Sequence, residues 1–245
     1  MRALFLDIGN TALKWRYHAD GVVHQGDSVH RRDWSCLGQI EVIDWGRLER
    51  IEVASVAGRE ADPVLARAIE VLAPVSPRFY YSCAKDAGVV NAYREPHRLG
   101  VDRWLAVIEA WHLYGAAIIV DCGSALTLDA VTTGGEHLGG YIVPGLTMLE
   151  RSLVQGTGSV RVDDSCPEDS LVPGRSTSEG VRNGIMRMTV AFITDAVVAL
   201  RQGLPDTAPV LLTGGDAARV ARVLPIATEL APDLVLDGLE RVTAN

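Results

Sequence analysis

Residues 3–14 read ALFLDIGNTALK and residues 117–128 read AIIVDCGSALTL, one short phrase repeated 114 positions apart in a chain of 245 residues. Each copy is an apolar run ending in Asp, a small-residue step around Gly, a hydroxyl or amide side chain, and further apolar residues. A buried strand, a tight turn and a second strand give that pattern. Asp7 and Asp121 then stand at the turn tips, while Gly9 and Gly123 let a ligand approach the backbone. Asp-x-Gly after a strand is common, and one copy would say little. Two copies, each opening one half of the chain, point to a duplicated fold with a nucleotide phosphate clamped between the halves. Chance recurrence, or a second hairpin that mirrors the first only by descent, is the plainer alternative.

Hydrophobic residues make up 48% of the chain, enough for a sizeable core. No apolar run reaches the ~18–20 residues of a membrane span. Asp7 interrupts the N-terminal apolar stretch too early for a signal peptide. The expectation is a cytoplasmic protein without membrane attachment. A net charge of −8 argues against nucleic-acid or anionic-membrane partners, which need basic surface. It leaves an anionic small substrate open, because a few cations and backbone N–H groups can hold one. Lys14 and Lys85 are the only lysines, for which coding bias is the simplest cause. Cys36, Cys83, Cys122 and Cys166 form no CxxC pair, so no zinc site is expected. Cys122, inside the second turn, is either packed or open to oxidation. The six histidines (18, 24, 30, 97, 112, 137) make no HxH or HExxH motif, and no GxSxG elbow is present.

Along the first half, residues 3–7, 12–17 and about 21–28 read as a β-meander with a hairpin at Asp20-Gly21. Residues 30–48 read as irregular, 51–56 as a strand, 60–72 as a helix with Pro63 in its first turn, and 78–82 as a strand. A polar loop over 86–100 precedes a helix over 101–114 that carries Trp104, Leu105, Ile108 and Trp111 on one face. The second half restarts with strands at 116–121, 126–132 and 137–143. A helix at 146–154, a loop at 156–177 and a long apolar helix at 178–201 follow. The chain then reads as a strand at 209–213, a helix at 216–223 and a last strand near 233–237. Such alternation indicates an α/β architecture with mixed sheets. The boundary falls near Tyr114-Gly115, giving lobes 1–115 and 116–245.

Several motifs carry chemistry. In DIGNTALK, Gly9 exposes the backbone, Asn10 and Thr11 add donors for a phosphate, and Asp7 can orient a Mg²⁺-bound water. No Walker A loop and no GxGxxG follow a strand. In DCGSALT, Ser124 takes the place of Asn10. Gly100-Val101-Asp102-Arg103 opens the Trp-rich helix. Asp102 is there either a plain helix-start carboxylate or a base for a substrate hydroxyl, and Arg103 can hold a carboxylate or phosphate. GGYIVPG at 139–145 suggests close backbone approach in a strand. Thr213-Gly214-Gly215-Asp216 is a seat for an adenine or ribose, and either Gly-rich segment can equally be a simple turn.

Taken together, DIGNTALK, LGVDRWLA at 99–106, DCGSALTLD at 121–129 and GGYIVPG resemble a type III pantothenate kinase, the family that also contains Bvg accessory factor proteins. The resemblance covers residues 3 to about 185. It implies a duplicated ribonuclease H-like fold of the actin, Hsp70 and sugar-kinase superfamily, with two lobes, a central cleft and a homodimeric assembly. It implies ATP-dependent phosphorylation of pantothenate, the first step of coenzyme A synthesis, with Mg²⁺ accompanying ATP. By resemblance, Asp7, Ile8, Gly9, Asn10, Thr11, Ala12, Leu13, Lys14 and Ser124 contact ATP. Likewise Gly100, Val101, Asp102 and Arg103 bind pantothenate, with Asp102 accepting the proton. Tyr93 matches an aromatic of the substrate pocket, and Thr177 a substrate contact that crosses the dimer. Asp121 matches a ligand of a monovalent cation, K⁺ or NH₄⁺. Ser124 replaces the usual Thr and keeps the hydroxyl, whereas the role of Lys14 stays open. The alternatives are a nucleotide-binding regulator of the Bvg accessory factor type without kinase activity, and a superfamily kinase for a sugar or acetate.

Overall fold

The computed structural model describes residues 2–29, 34–163 and 170–244. The expected irregular stretch 30–48 and loop 156–177 therefore lie partly outside the described residues, as do His30 and Cys166. The chain divides into two compact units, Met1–Glu109 with Asp233–Asn245, and Ala110–Pro232.

The first unit opens with β1 (Ala3–Ile8), β2 (Ala12–Ala19) and β3 (Val22–Val29), followed by β4 (Arg50–Ser55), α1 (Asp62–Glu70) and β5 (Arg78–Tyr80). A short hairpin, β6 (Lys85–Asp86) and β7 (Val89–Val90), precedes α2 (Val101–Tyr114). The main sheet has the order β3-β2-β1-β4-β5. β1 runs antiparallel to β2 and parallel to β4. Central β1 is buried on both faces, which is why it reads as a continuous apolar run rather than an alternation. Leu4, Leu6 and Ile8 enter one core together with Leu65 and Ile69 of α1. The irregular residues 34–48 supply much of that core through Trp34, Leu37, Ile40, Ile43 and Leu48. A segment without a repeating period can still pack one side chain after another.

The second unit repeats the plan with β8 (Ala117–Cys122), β9 (Ala125–Val131), β10 (His137–Pro144), α3 (Leu146–Gly156), α4 (Thr177–Arg201), β11 (Val210–Thr213), α5 (Ala217–Ala221) and β12 (Glu229–Leu230). Its sheet order is β10-β9-β8-β11-β12, the same arrangement as in the first unit. α4 is long and apolar enough to cross a membrane by length and composition. Its Met186, Val190, Ile193, Ala196 and Val197 are buried in the core of this unit with Ile118, Val120 and Leu128 of the sheet.

One expectation is corrected. The strand expected near 233–237 is the start of helix α6 (Leu234–Thr243), which packs on β1, β2 and β4 of the first unit. The run Leu234-Val235-Leu236 looks like a short strand, and Gly238 looks like its end. The longer window puts Leu234, Val235, Leu239 and Val242 on one helical face. Gly238 is there for close packing, since a Cβ would stand 2.9 Å from the Leu105 carbonyl carbon of α2. Arg16 of β2 anchors α6 by donating to Asp237 at 2.6 Å and Glu240 at 2.8 Å. Arg241 donates twice to the buried Glu109, at 2.6 and 2.8 Å.

Candidate active site

Both Asp-x-Gly phrases form the expected hairpins. In the first, Asp7 pairs with Lys14 and Ile8 with Leu13, and the Gly9 N–H donates to the Ala12 carbonyl at 2.9 Å. Asn10, Thr11 and Ala12 are exposed at the tip, Asp7 and Lys14 are half-buried at its base, and Ile8 and Leu13 are in the core. In the second, Asp121 pairs with Thr127 and Cys122 with Leu126, and the Gly123 N–H donates to the Ala125 carbonyl at 3.0 Å. This turn is one residue shorter, so the single exposed Ser124 covers the span of both Asn10 and Thr11. In each unit the turn lies at the carboxyl end of the central strand, beside a parallel neighbour on one side and an antiparallel one on the other. Open sheets bind ligands at such switch points.

Within the second unit, three separate motifs meet. Gly145, the residue before α3, donates its N–H to the Ser124 carbonyl at 3.1 Å. A Cβ on Gly145 would lie 2.7 Å from that same oxygen, so only glycine lets α3 begin here. The N-terminal end of α3 thereby reaches the turn, where its partial positive charge favours an anion. Gly214, at φ +88°, packs on the other side, where a Cβ would stand 2.6 Å from the Cys122 carbonyl carbon. The Asp216 N–H donates to the Cys122 carbonyl at 2.9 Å. The expected close approach in GGYIVPG is real as well: a Cβ at Gly140 would lie 2.7 Å from Asp129 Oδ1. A small, half-open cleft borders this assembly, lined by Leu146, Glu150, Arg182, Met186 and Arg219 among others. Arg219 is held by Asp216 at 2.6 Å and Arg182 by Glu150 at 3.3 Å. Arg182 and Arg219 escaped the sequence reading because they stand on two different helices, far apart in the chain.

Cys122 is buried and behaves as a packed thiol. Burial pushes its pKa up to about 12, and the charges of Asp121 and Asp216 act in the same direction. Cys36 is buried too, and Cys83 is partly so.

Within the first unit, GVDR forms the entry to α2. The Trp104 N–H donates to the Gly100 carbonyl at 3.0 Å, and the Arg103 N–H donates to Asp102 Oδ1 at 2.8 Å. A Cβ at Gly100 would lie 2.5 Å from Asp102 Oδ1, so Gly100 makes room for that carboxylate. Val101 is buried beneath, Asp102 is half-buried, and Arg103 is only 5% exposed. The Arg103 Nη1 donates to the Tyr93 hydroxyl at 2.8 Å, and its guanidinium carbon sits 5.7 Å from the Tyr93 ring centre. Tyr93 is thus brought against Arg103, the neighbour of Asp102 in the chain. Thr177 is exposed in the first turn of α4, whose N-cap Ser176 accepts from the Glu179 N–H at 3.2 Å.

Residues 3–199 match the family profile of type III pantothenate kinase. The chain belongs to the type III pantothenate kinase family. It is 51% identical over 243 residues to the type III pantothenate kinase of Alcanivorax borkumensis, covering 99% of this chain and 98% of that one. It is 39% identical to that of Chromohalobacter salexigens, covering 97% and 85%. Among solved structures, a Baf family protein from Campylobacter jejuni aligns with TM-score 0.59 at 18% identity, covering 98% and 97%. A Sinorhizobium meliloti protein assigned as a 2-dehydro-3-deoxygalactonokinase aligns with TM-score 0.59 at 11% identity, covering 98% and 95%. These two structures share the fold of this chain, a mixed α/β architecture with two five-stranded sheets. A regulator without kinase activity is not favoured, because the curated relatives of this family are kinases.

Among the described residues no group of three or more His, Cys, Asp or Glu side chains forms a metal cluster. Asp7 and Asp121 each place a single half-buried carboxylate at the base of a turn. Asp121 lies in a cradle of Gly123 and Gly214 that side chains would fill.

Proposed function

We propose that this chain transfers the γ-phosphoryl group of ATP to the primary hydroxyl of pantothenate, giving 4'-phosphopantothenate and ADP. The observation that carries the reading is the joining of Asp102, Arg103 and Tyr93 at the entry of α2. A half-buried carboxylate beside a buried, oriented guanidinium suits a substrate with a hydroxyl at one end and a carboxylate at the other. Asp102 takes the hydroxyl proton as the new O–P bond forms and the bond to the β-phosphate oxygen breaks. Arg103 binds the pantothenate carboxylate, with Gly100, Val101 and Tyr93 shaping the pocket.

Asp7 to Lys14 and Ser124 hold the ATP phosphates with backbone and hydroxyl donors, and Thr213 to Asp216 seat the nucleoside. Bound Mg²⁺ supplies charge neutralisation on the phosphates, and Asp7 orients its water shell. Asp121 contributes a carboxylate oxygen to a monovalent cation, K⁺ or NH₄⁺. Thr177 contacts substrate in a second copy of the chain, so a homodimer belongs to the proposal, as does a cytoplasmic location. Most of the rate enhancement comes from alignment and charge stabilisation.

The test is product analysis by mass spectrometry after incubation with Mg·ATP and, separately, pantothenate, a sugar acid and acetate. Phosphorylated pantothenate as the main product supports the reading. A phosphorylated sugar acid or acetyl phosphate formed faster would replace it.

A further inference from the structure

Asn91 was not among the residues singled out by sequence, yet it is a heavily connected polar side chain bonded to Tyr93, the partner of Arg103. It is 8% exposed. Its Nδ2 donates to the Cys83 carbonyl at 3.1 Å and to the Pro96 carbonyl at 3.3 Å. Its Oδ1 accepts from the Tyr93 N–H at 2.9 Å. Its own N–H donates to the Ala84 carbonyl at 3.0 Å. One side chain thus ties the segment before Tyr93, the segment after it, and the Tyr93 backbone itself.

The requirement is specific to an amide. Two donors and one acceptor are used, which is what Asn offers. Asp at the same place would set a carboxylate against two carbonyl oxygens. Tyr93 in turn presents the hydroxyl that accepts from Arg103. A guanidinium binds a carboxylate well only when its planar fork is held in one orientation. Arg103 is buried, and the Tyr93 hydroxyl is an acceptor that fixes the orientation of its tip.

We propose that Asn91 is a positioning residue that acts through Tyr93 on Arg103, and so sets the affinity for the carboxylate end of the substrate. The inference rests on the assignment of Tyr93 and Arg103 to pantothenate binding.

The test is a double-mutant cycle on Asn91→Asp and Tyr93→Phe, with KM for pantothenate, KM for ATP, kcat and thermal midpoint measured for each protein. Asn91→Ser is run in parallel in case the Asp variant does not fold. Tyr80→Phe serves as a control. The Tyr80 hydroxyl donates to Asp86 at 2.7 Å and accepts from Trp104 Nε1 at 3.2 Å, so this variant loosens the same region without touching the Asn91 contacts. Losing a hydrogen bond of ordinary strength predicts a rise of up to about tenfold in KM for pantothenate in each Asn91 variant, with KM for ATP unmoved. In the Tyr93→Phe background the same change should add less than about twofold, because the coupled term is already gone. Full additivity would overturn the proposal, as would equal rises in both KM values, a lowered midpoint with unmoved KM, or a Tyr80→Phe effect on pantothenate as large as that of Asn91. If Tyr93→Phe alone leaves KM for pantothenate unchanged, the pocket assignment itself fails, which is a different result.

Discussion

A side chain at position 214 would collide with the Asp121 carboxylate, and also stand 2.6 Å from the Cys122 carbonyl carbon. Gly214 also holds φ +88°, a conformation that L side chains rarely adopt. Gly214→Ala should therefore cost about 1–3 kcal/mol of stability through strain and displaced backbone. By moving Asp121 and the turn it should also raise KM for ATP more than KM for pantothenate. Gly46→Ala is the control, because nothing lies within 4 Å of its Cβ position and it is outside the proposed site. Chemical denaturation and steady-state kinetics on the two variants check this. Equal behaviour of the two would contradict it.

Arg103 is assigned to the substrate carboxylate. Arg103→Gln removes the charge while keeping some hydrogen bonding. A lost charge-assisted bond of about 1.5–3 kcal/mol predicts a rise of roughly 10- to 100-fold in KM for pantothenate. Pantothenol, the analogue that carries an alcohol in place of the carboxylate, should be phosphorylated by the variant and the parent with similar KM. A variant that loses both substrates alike would argue for a structural role of Arg103.

The two Asp-x-Gly hairpins, the GVDR entry and the duplicated sheet were legible because strand, turn and helix-start signals are local. α6 was not. Its apolar run Leu234-Val235-Leu236 fits either period when read in isolation, and what decides for a helix is the core surface of β1, β2 and β4 that it covers. The packing role of residues 34–48 was equally hidden, since Trp34, Leu37 and Ile43 follow no repeat. At the site, each motif was visible singly. That Gly145 and Gly214 pack against the second turn is a contact between distant positions, which spacing alone does not encode. Asn91 was missed for the same reason, because its importance lies in which carbonyls it reaches.

The terminal helix yields its own prediction. Arg241 donates to both carboxylate oxygens of Glu109, a residue 3% exposed. Removing the guanidinium leaves a buried carboxylate with lost donors, while the partial exposure of Arg241 lets water recover some of the cost. Arg241→Ala should lower stability by about 1–3 kcal/mol. Arg241→Ala combined with Glu109→Gln should recover part of that loss. Urea denaturation of both proteins decides, and a single variant as stable as the parent would contradict the account.

Cys122 gives a pH prediction. Burial raises its pKa to about 12, so in the folded protein the thiol stays protonated well above its ordinary range. The folded state then binds this proton more tightly than the unfolded chain, whose thiol titrates near ~8.5. The stabilisation is fully present below pH ~8.5 and is lost as pH rises toward the folded value. At pH ~8 the thiolate fraction in the folded protein is about one in ten thousand by the same linkage. A thiol reagent should therefore label Cys122 slowly in native buffer and rapidly in urea, as read by peptide mapping. Fast native labelling would contradict the packed environment.

The central claim is that Asp102 accepts the proton during phosphoryl transfer to pantothenate. The most direct measurement is coupled ADP release from purified protein with Mg·ATP and pantothenate, in potassium and in sodium buffer, for the parent chain and Asp102→Asn. The account predicts pantothenate-dependent turnover by the parent, higher in potassium. It predicts a fall of about 10²–10⁴ in kcat for the variant with folding unchanged. Near-normal turnover of Asp102→Asn, or no pantothenate-dependent turnover by the folded parent in either salt, would contradict it.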